Sequence, residues 1–215
     1  RHTFPLPTLR IDKLAETFRC GRKRLNLSLL AWHRSEFFVG VTHWDSGKSV
    51  LIDAKRARPD PIAAITASLA LTFAYPTPIY VNGEKYTDGG MSAPLPFKEA
   101  VKMFAPTDVL VISNYSQKES REMGDSLGEK ILDMLAILRI PRSLRHSFRK
   151  RDASWKENIA YAEHSPLSTG VLYGADDVGI LTQNLAKLRA ATLKGVRDTL
   201  ALFGDTETRP ETLVP

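Results

Sequence analysis

Three groupings in this sequence have the residue types and spacing to do chemistry. The first is Asp88-Gly89-Gly90, an acid followed by two residues without Cβ atoms. Such glycines let the backbone turn with positive φ and come close to another element, leaving the carboxylate at the rim of the strand that delivers it. In open α/β sheets that rim is where ligands bind. Taken alone, the tripeptide is more often a turn than a site. The second grouping is Gly124-Asp125-Ser126-Leu127-Gly128, a Gly-x-Ser-x-Gly match. A nucleophile elbow needs a strand running into its serine and a helix leaving it. Before Gly124 lies Lys118-Glu119-Ser120-Arg121-Glu122, which is polar and no strand. Ser126 therefore reads as part of a loop or helix break rather than as a nucleophile.

The third grouping is basic: Arg139, Arg142, Arg145, His146, Arg149, Lys150 and Arg151. On a helix, Arg142, Arg145 and Arg149 share one face, and Leu144 and Phe148 share another. That arrangement suits an interfacial patch drawn to anionic phospholipid headgroups, though a solvated helix face is the commoner reading. Nucleic acid is not expected as a partner, because no aromatic interleaving or recognition motif accompanies the charges. The five histidines are scattered without ligand spacing, and Cys20 has no partner, so no metal site is expected. His43, beside a turn, reads as structural. Cys20 in Phe18-Arg19-Cys20-Gly21-Arg22 reads as an incidental helix-end thiol, although neighbouring cations could lower its pKa. No phosphate-binding glycine loop or dinucleotide fingerprint is present, and no cofactor is expected.

These residues need a scaffold, and 215 residues suffice for a domain with a well-buried core. A composition of 43% hydrophobic and 25% charged residues favours a folded over a disordered chain. No apolar run approaches the ~18 residues of a membrane span. The lone cysteine excludes an internal disulfide and fits a cytoplasmic setting, with peripheral membrane association left open by the formal charge of +6. Residue 1 is Arg and no apolar leader is visible, so the chain is expected to begin inside a longer protein.

Apolar spacing predicts a helix over 8–20, strands over 25–30 and 37–43, and a returning strand at 50–52 after the Asp45-Ser46-Gly47-Lys48 turn. Asp60-Pro61 opens a small-residue helix reaching Leu71. Strands 79–81 and 85–87 flank Asn82-Gly83, a type I′ turn signal, and Asp88 follows directly. A helix over 97–104 precedes Val109-Leu110-Val111-Ile112, whose unbroken apolar run suits the middle of a parallel sheet with both faces covered. Helices are expected over 119–138, 142–163 and 177–203. Early alternation and later helices predict an α/β fold with a mostly helical C-terminal extension.

The order of motifs around Asp88 resembles the second half of the patatin-like phospholipases. The matching residues are Ile65-Thr66-Ala67-Ser68-Leu69-Ala70, Pro76, Ile79 through Gly90 with its Tyr86-Thr87-Asp88-Gly89-Gly90, and Pro94-Leu95-Pro96. Phe37-Phe38-Val39-Gly40-Val41-Thr42-His43-Trp44-Asp45-Ser46-Gly47-Lys48 is similar to the family's preceding strand and turn. The resemblance covers roughly 25–113 and implies a partial patatin-like three-layer sandwich over 1–115. Residues 116–204 would be a helical extension packed on it, and 205–215 a loose tail.

The family hydrolyses acyl esters of lipids with a serine in Gly-x-Ser-x-Gly and the aspartate of this motif. Asp88 would be the general base, Gly89 and Gly90 its turn, and a phospholipid or other acyl lipid the substrate. The family's glycine-rich loop and serine elbow precede the aspartate, and residues 1–87 contain neither. Residues 1–215 alone are thus expected to be inactive without a further N-terminal segment. Two other readings stand beside this one: a non-catalytic patatin-derived module that binds a lipid surface or partner, and an esterase using Ser126. The Gly-Asp-Ser-Leu around Ser126 matches another esterase family, but no Asp here has a His three residues on, as that family's late Asp-x-x-His requires.

Overall fold

The computed structural model describes residues 9–22, 24–125, 127–176, 178 and 182–204. The expected tail 205–215, Ser126, and residues 177 and 179–181 of the expected last helix lie outside them. The fold is mixed α/β. By its contacts the chain divides into two units, the described residues of Arg1–Ala100 with Gly124–Trp155, and those of Val101–Met123 with Lys156–Pro215.

In the first unit, α1 (Ile11–Arg19) buries Ile11 and Ala15 and packs on α3 (Pro61–Ser68). Asp60 caps α3 by accepting from the Ala63 N–H at 2.9 Å, with Pro61 at the first position where its missing N–H costs nothing. Asp60 also takes an ion pair from Arg19 at 3.0 Å. Small residues let α3 bury Ile62, Ala63, Ala64, Thr66 and Ala67 against a four-stranded sheet. That sheet runs β2-β1-β4-β3, from β1 (Phe38–His43), β2 (Ser49–Asp53), β3 (Ile79–Val81) and β4 (Glu84–Asp88). All three pairings are antiparallel. Asn82 at φ 53 and Gly83 at φ 85 make the expected tight hairpin turn.

After α4 (Phe97–Phe104), the second unit contains β5 (Asp108–Ile112) and β6 (Ser168–Leu172), a parallel pair. Its α5 (Gln117–Glu122) begins at a capping box in which Ser116 and Glu119 satisfy each other's backbone N–H groups. Between α6 (Leu127–Arg139) and α7 (Arg142–Glu163) the chain turns sharply, and Ala136, Ile137, Ile140, Leu144 and Phe148 close over Met91 and Trp44. Ser143 and Ser147 donate to the carbonyls of Trp44 (2.7 Å) and Gly47 (2.6 Å), tying α7 to the β1–β2 turn. The last helix, α8 (Leu185–Leu202), is capped by Asn184 and packs on β6, where Gly170 leaves room for Leu202.

Four expectations need correction. Residues 25–30 form no strand: Asn26 accepts from the Leu29 N–H at 2.9 Å and nucleates a short helix, α2 (Leu27–Trp32). The apolar run at 109–112 is parallel-paired but not mid-sheet. β5 has β6 as its one partner among the described residues, and Leu110 and Ile112 stay exposed. The helix expected over 119–138 breaks at Gly124, whose φ of +76 ends α5 and whose missing side chain admits Asp152. Finally, β6 went unseen, because Ser168-Thr169-Gly170-Val171-Leu172 carries little apolar alternation.

Candidate functional site

Asp88 is the last residue of β4 and the cap of a 3₁₀ turn, Gly89–Met91. Its Oδ1 accepts from the Gly90 N–H at 2.6 Å. Among the described residues no hydroxyl and no cation bonds this carboxylate. Its backbone is held from two sides. The Asp88 N–H donates to Ala70 O at 3.3 Å, and its carbonyl accepts from Thr42 Oγ1 at 2.7 Å. Thr42, fully buried on β1, also shares a 2.8 Å hydrogen bond with Ser92. The neighbouring Thr87 donates to Ala70 O at 2.7 Å and meets Thr72 at 2.8 Å. A ring of buried hydroxyls thus fixes where the acid leaves the sheet, while the acid itself keeps one oxygen free.

Gly89 and Gly90 do the expected job by a different means. Neither has a positive φ. A Cβ on Gly89 would lie 2.4 Å from Gly40 O and 2.7 Å from Gly40 C, so two backbones touch there without side chains between them. A Cβ on Gly90 would lie 3.0 Å from Asp88 Oδ1, crowding the carboxylate it bonds. The site therefore rests on glycine for space rather than for conformational freedom. The rim argument is corrected as well, because β4 sits in an antiparallel sheet and no parallel-strand crevice delivers Asp88.

Electrostatically the acid is under tension. Burial without a compensating cation pushes the Asp88 carboxyl up to about 6, and the Gly90 N–H only partly opposes this. A carboxylate with a pKa near neutrality and a free oxygen is equipped to take a proton from an alcohol or water.

The other sequence candidates do not join it. His43 hydrogen-bonds Ser46 at 2.8 Å and Glu84 at 3.4 Å, and its ring stands edge-on to Tyr86 at 5.6 Å, a turn-locking role. Cys20 is exposed at the end of α1. Ser126 lies outside the described residues, but the segment before it is helix α5 and the Met123–Asp125 turn, where an elbow requires a strand. Of the basic group, Arg142 and Arg149 are exposed, whereas Arg151 is paired with Asp133 (2.6 Å) and Asp152 (3.1 Å) over the Phe148 ring. Among the described residues no cluster of three His, Cys, Asp or Glu side chains could hold a metal, and no helix is long and apolar enough to cross a membrane.

A hollow of about 270 Å³ borders Gly40 and is walled by Phe37, Phe38, Val39, Ile65, Ser68 and Leu69. A larger one, about 580 Å³, lies in the second unit at the C-terminal ends of β5 and β6. Among its polar groups, Lys194 pairs with Asp198 at 2.5 Å and Tyr173 donates to Glu163 at 2.6 Å. Sequence reasoning missed Thr42 and Gly40. A glycine inside an apolar strand was the available signal for Gly40, since it marks a close backbone approach. No protein-family model matches this chain, and no curated protein matches it.

Proposed function

We propose that Asp88 is the general base of a patatin-like Ser–Asp lipid acyl hydrolase, within a patatin-like three-layer sandwich of which these residues form part. The observation that carries the reading is the half-buried Asp88 carboxyl, without a cation among the described residues, held up at about 6 at the end of β4. A surface aspartate of ordinary pKa is a poor base for an alcohol. This one is raised to where its carboxylate form is both present at neutral pH and basic enough to pull.

In the reaction, the carboxylate takes the proton of a serine hydroxyl as that oxygen attacks the ester carbonyl. The alcohol departs with a proton, and water then cleaves the acyl-enzyme with Asp88 again as base. The resemblance implies a serine in a Gly-x-Ser-x-Gly segment ahead of the aspartate, and residues 1–87 hold no such segment. The mostly apolar hollow beside Gly40 supports the substrate class, because Gly40 is the residue Gly89 abuts and its neighbours there are Phe37, Phe38, Val39, Ile65 and Leu69, with Ser68 the one hydroxyl among them.

Labelling the full gene product with a fluorophosphonate probe tests the assignment. The labelled serine should sit in a Gly-x-Ser-x-Gly outside this chain and should lose its label in Asp88→Asn. Label on Ser126, or on no serine, would overturn it.

A further inference from the structure

The helix α6 carries an apolar face that none of the described residues covers. Leu127, Ile131, Met134, Leu135 and Leu138 are 74%, 49%, 64%, 54% and 72% exposed. At about 100° per residue they fall within an arc of about 100° on a single side. The helix already packs by its other side, where Ala136 and Ile137 meet Leu144 and Phe148, and where Asp133 turns to Arg151 at 2.6 Å. A surface helix needs one apolar stripe for its core. This one has two.

The flanks of the exposed stripe are cationic. Lys130 borders it on one side and Arg139 on the other, and both are exposed. Residues 127–151 hold seven of the chain's lysines and arginines against two acids, which is nearly all of the formal +6. We infer that this face of α6 is an interfacial surface that lies in an anionic phospholipid bilayer, with its leucines among the acyl chains and its cations at the headgroups.

Charge and side-chain type select this occupant. A second copy of the chain would set Lys130 and Arg139 against like charges. A protein partner would be met through aromatic or arginine anchors seated in pockets, whereas this stripe offers flexible aliphatic side chains and no Trp or Tyr. Apolar area edged by Lys and Arg is the pattern that inserts shallowly at a bilayer surface. The inference does not require Asp88 to be catalytic, so either claim can fail without the other.

Flotation of the full chain with vesicles tests it, using phosphatidylcholine alone and with about 30% phosphatidylglycerol. We expect binding at least about tenfold tighter on the anionic vesicles, weakened by salt. The variant M134E/L138E changes two exposed positions and should lose about tenfold or more with an unchanged melt. The uncharged L127Q/L138Q should lose a smaller amount, separating lost apolar area from added charge. Replacing Lys130 and Arg139 by Gln should reduce the preference for anionic lipid, and a preference left unchanged would overturn the role of the flanking cations. Equal binding by wild type and M134E/L138E would overturn the inference, as would a wild type indifferent to vesicles. A dimer that M134E/L138E converts to a monomer would assign the stripe to a second copy instead.

Discussion

Asp88 is a carboxyl placed where it is uncomfortable as an anion. Its folded pKa of about 6 lies above the ordinary 3.8, and the cause is desolvation without a cation. The folded state therefore keeps a proton that the unfolded chain releases between about pH 4 and 6. The contribution to stability is complete below about pH 4 and is lost as pH rises through about 6. At pH 7.5, Asp88→Asn should stabilise the fold by about 2 kcal/mol, since the amide can still accept from Gly90 and carries no charge. Urea titrations across pH 4–8 should show that advantage shrinking toward zero at the acid end. An advantage that grows on acidification would mean the carboxylate is stabilised in the fold.

At the scale of elements, the contact between β1 and the turn after β4 decides the site's position. Gly89 should tolerate no side chain, because its Cβ would sit 2.4 Å from a carbonyl oxygen in an already paired strand. Gly89→Ala is expected to cost about 3 kcal/mol or more. Gly83→Ala meets nothing within 4 Å and should cost only about 1 kcal/mol, for its φ of +85. Chemical denaturation of both variants checks the order, and a reversal would show that the close approach is not obligatory. These elements were unequally legible. The helices at 97–104 and 142–163 and the Asn82-Gly83 hairpin stood out, because capping, period and turn chemistry are local signals. The strand expected at 25–30 failed because a single asparagine cap outweighed an apolar run without a partner strand. β6 was hidden because its apolar content is set by packing on α8 at Gly170, which no local pattern records. In the same way Asp88 could be picked out, while Thr42, Gly40 and the spacing role of Gly89 could not, since each depends on which strand lies alongside.

For the whole molecule, two surfaces of opposite character matter. One is the small apolar hollow beside the Gly40–Gly89 contact, and the other is the cation-edged stripe of α6. The hollow lies beside the Gly40–Gly89 contact that positions Asp88, whereas the α6 stripe is a separate surface whose role stands or falls on its own. The most direct measurement is phospholipid hydrolysis by the full gene product, wild type against Asp88→Asn, followed from about pH 5 to 8. The wild-type rate should climb with pH through about 6, as the base loses its proton, and the variant should lose about 10²–10⁴-fold without loss of fold. A wild type without ester hydrolysis, or an Asp88→Asn enzyme within twofold of it, would contradict the assignment of Asp88.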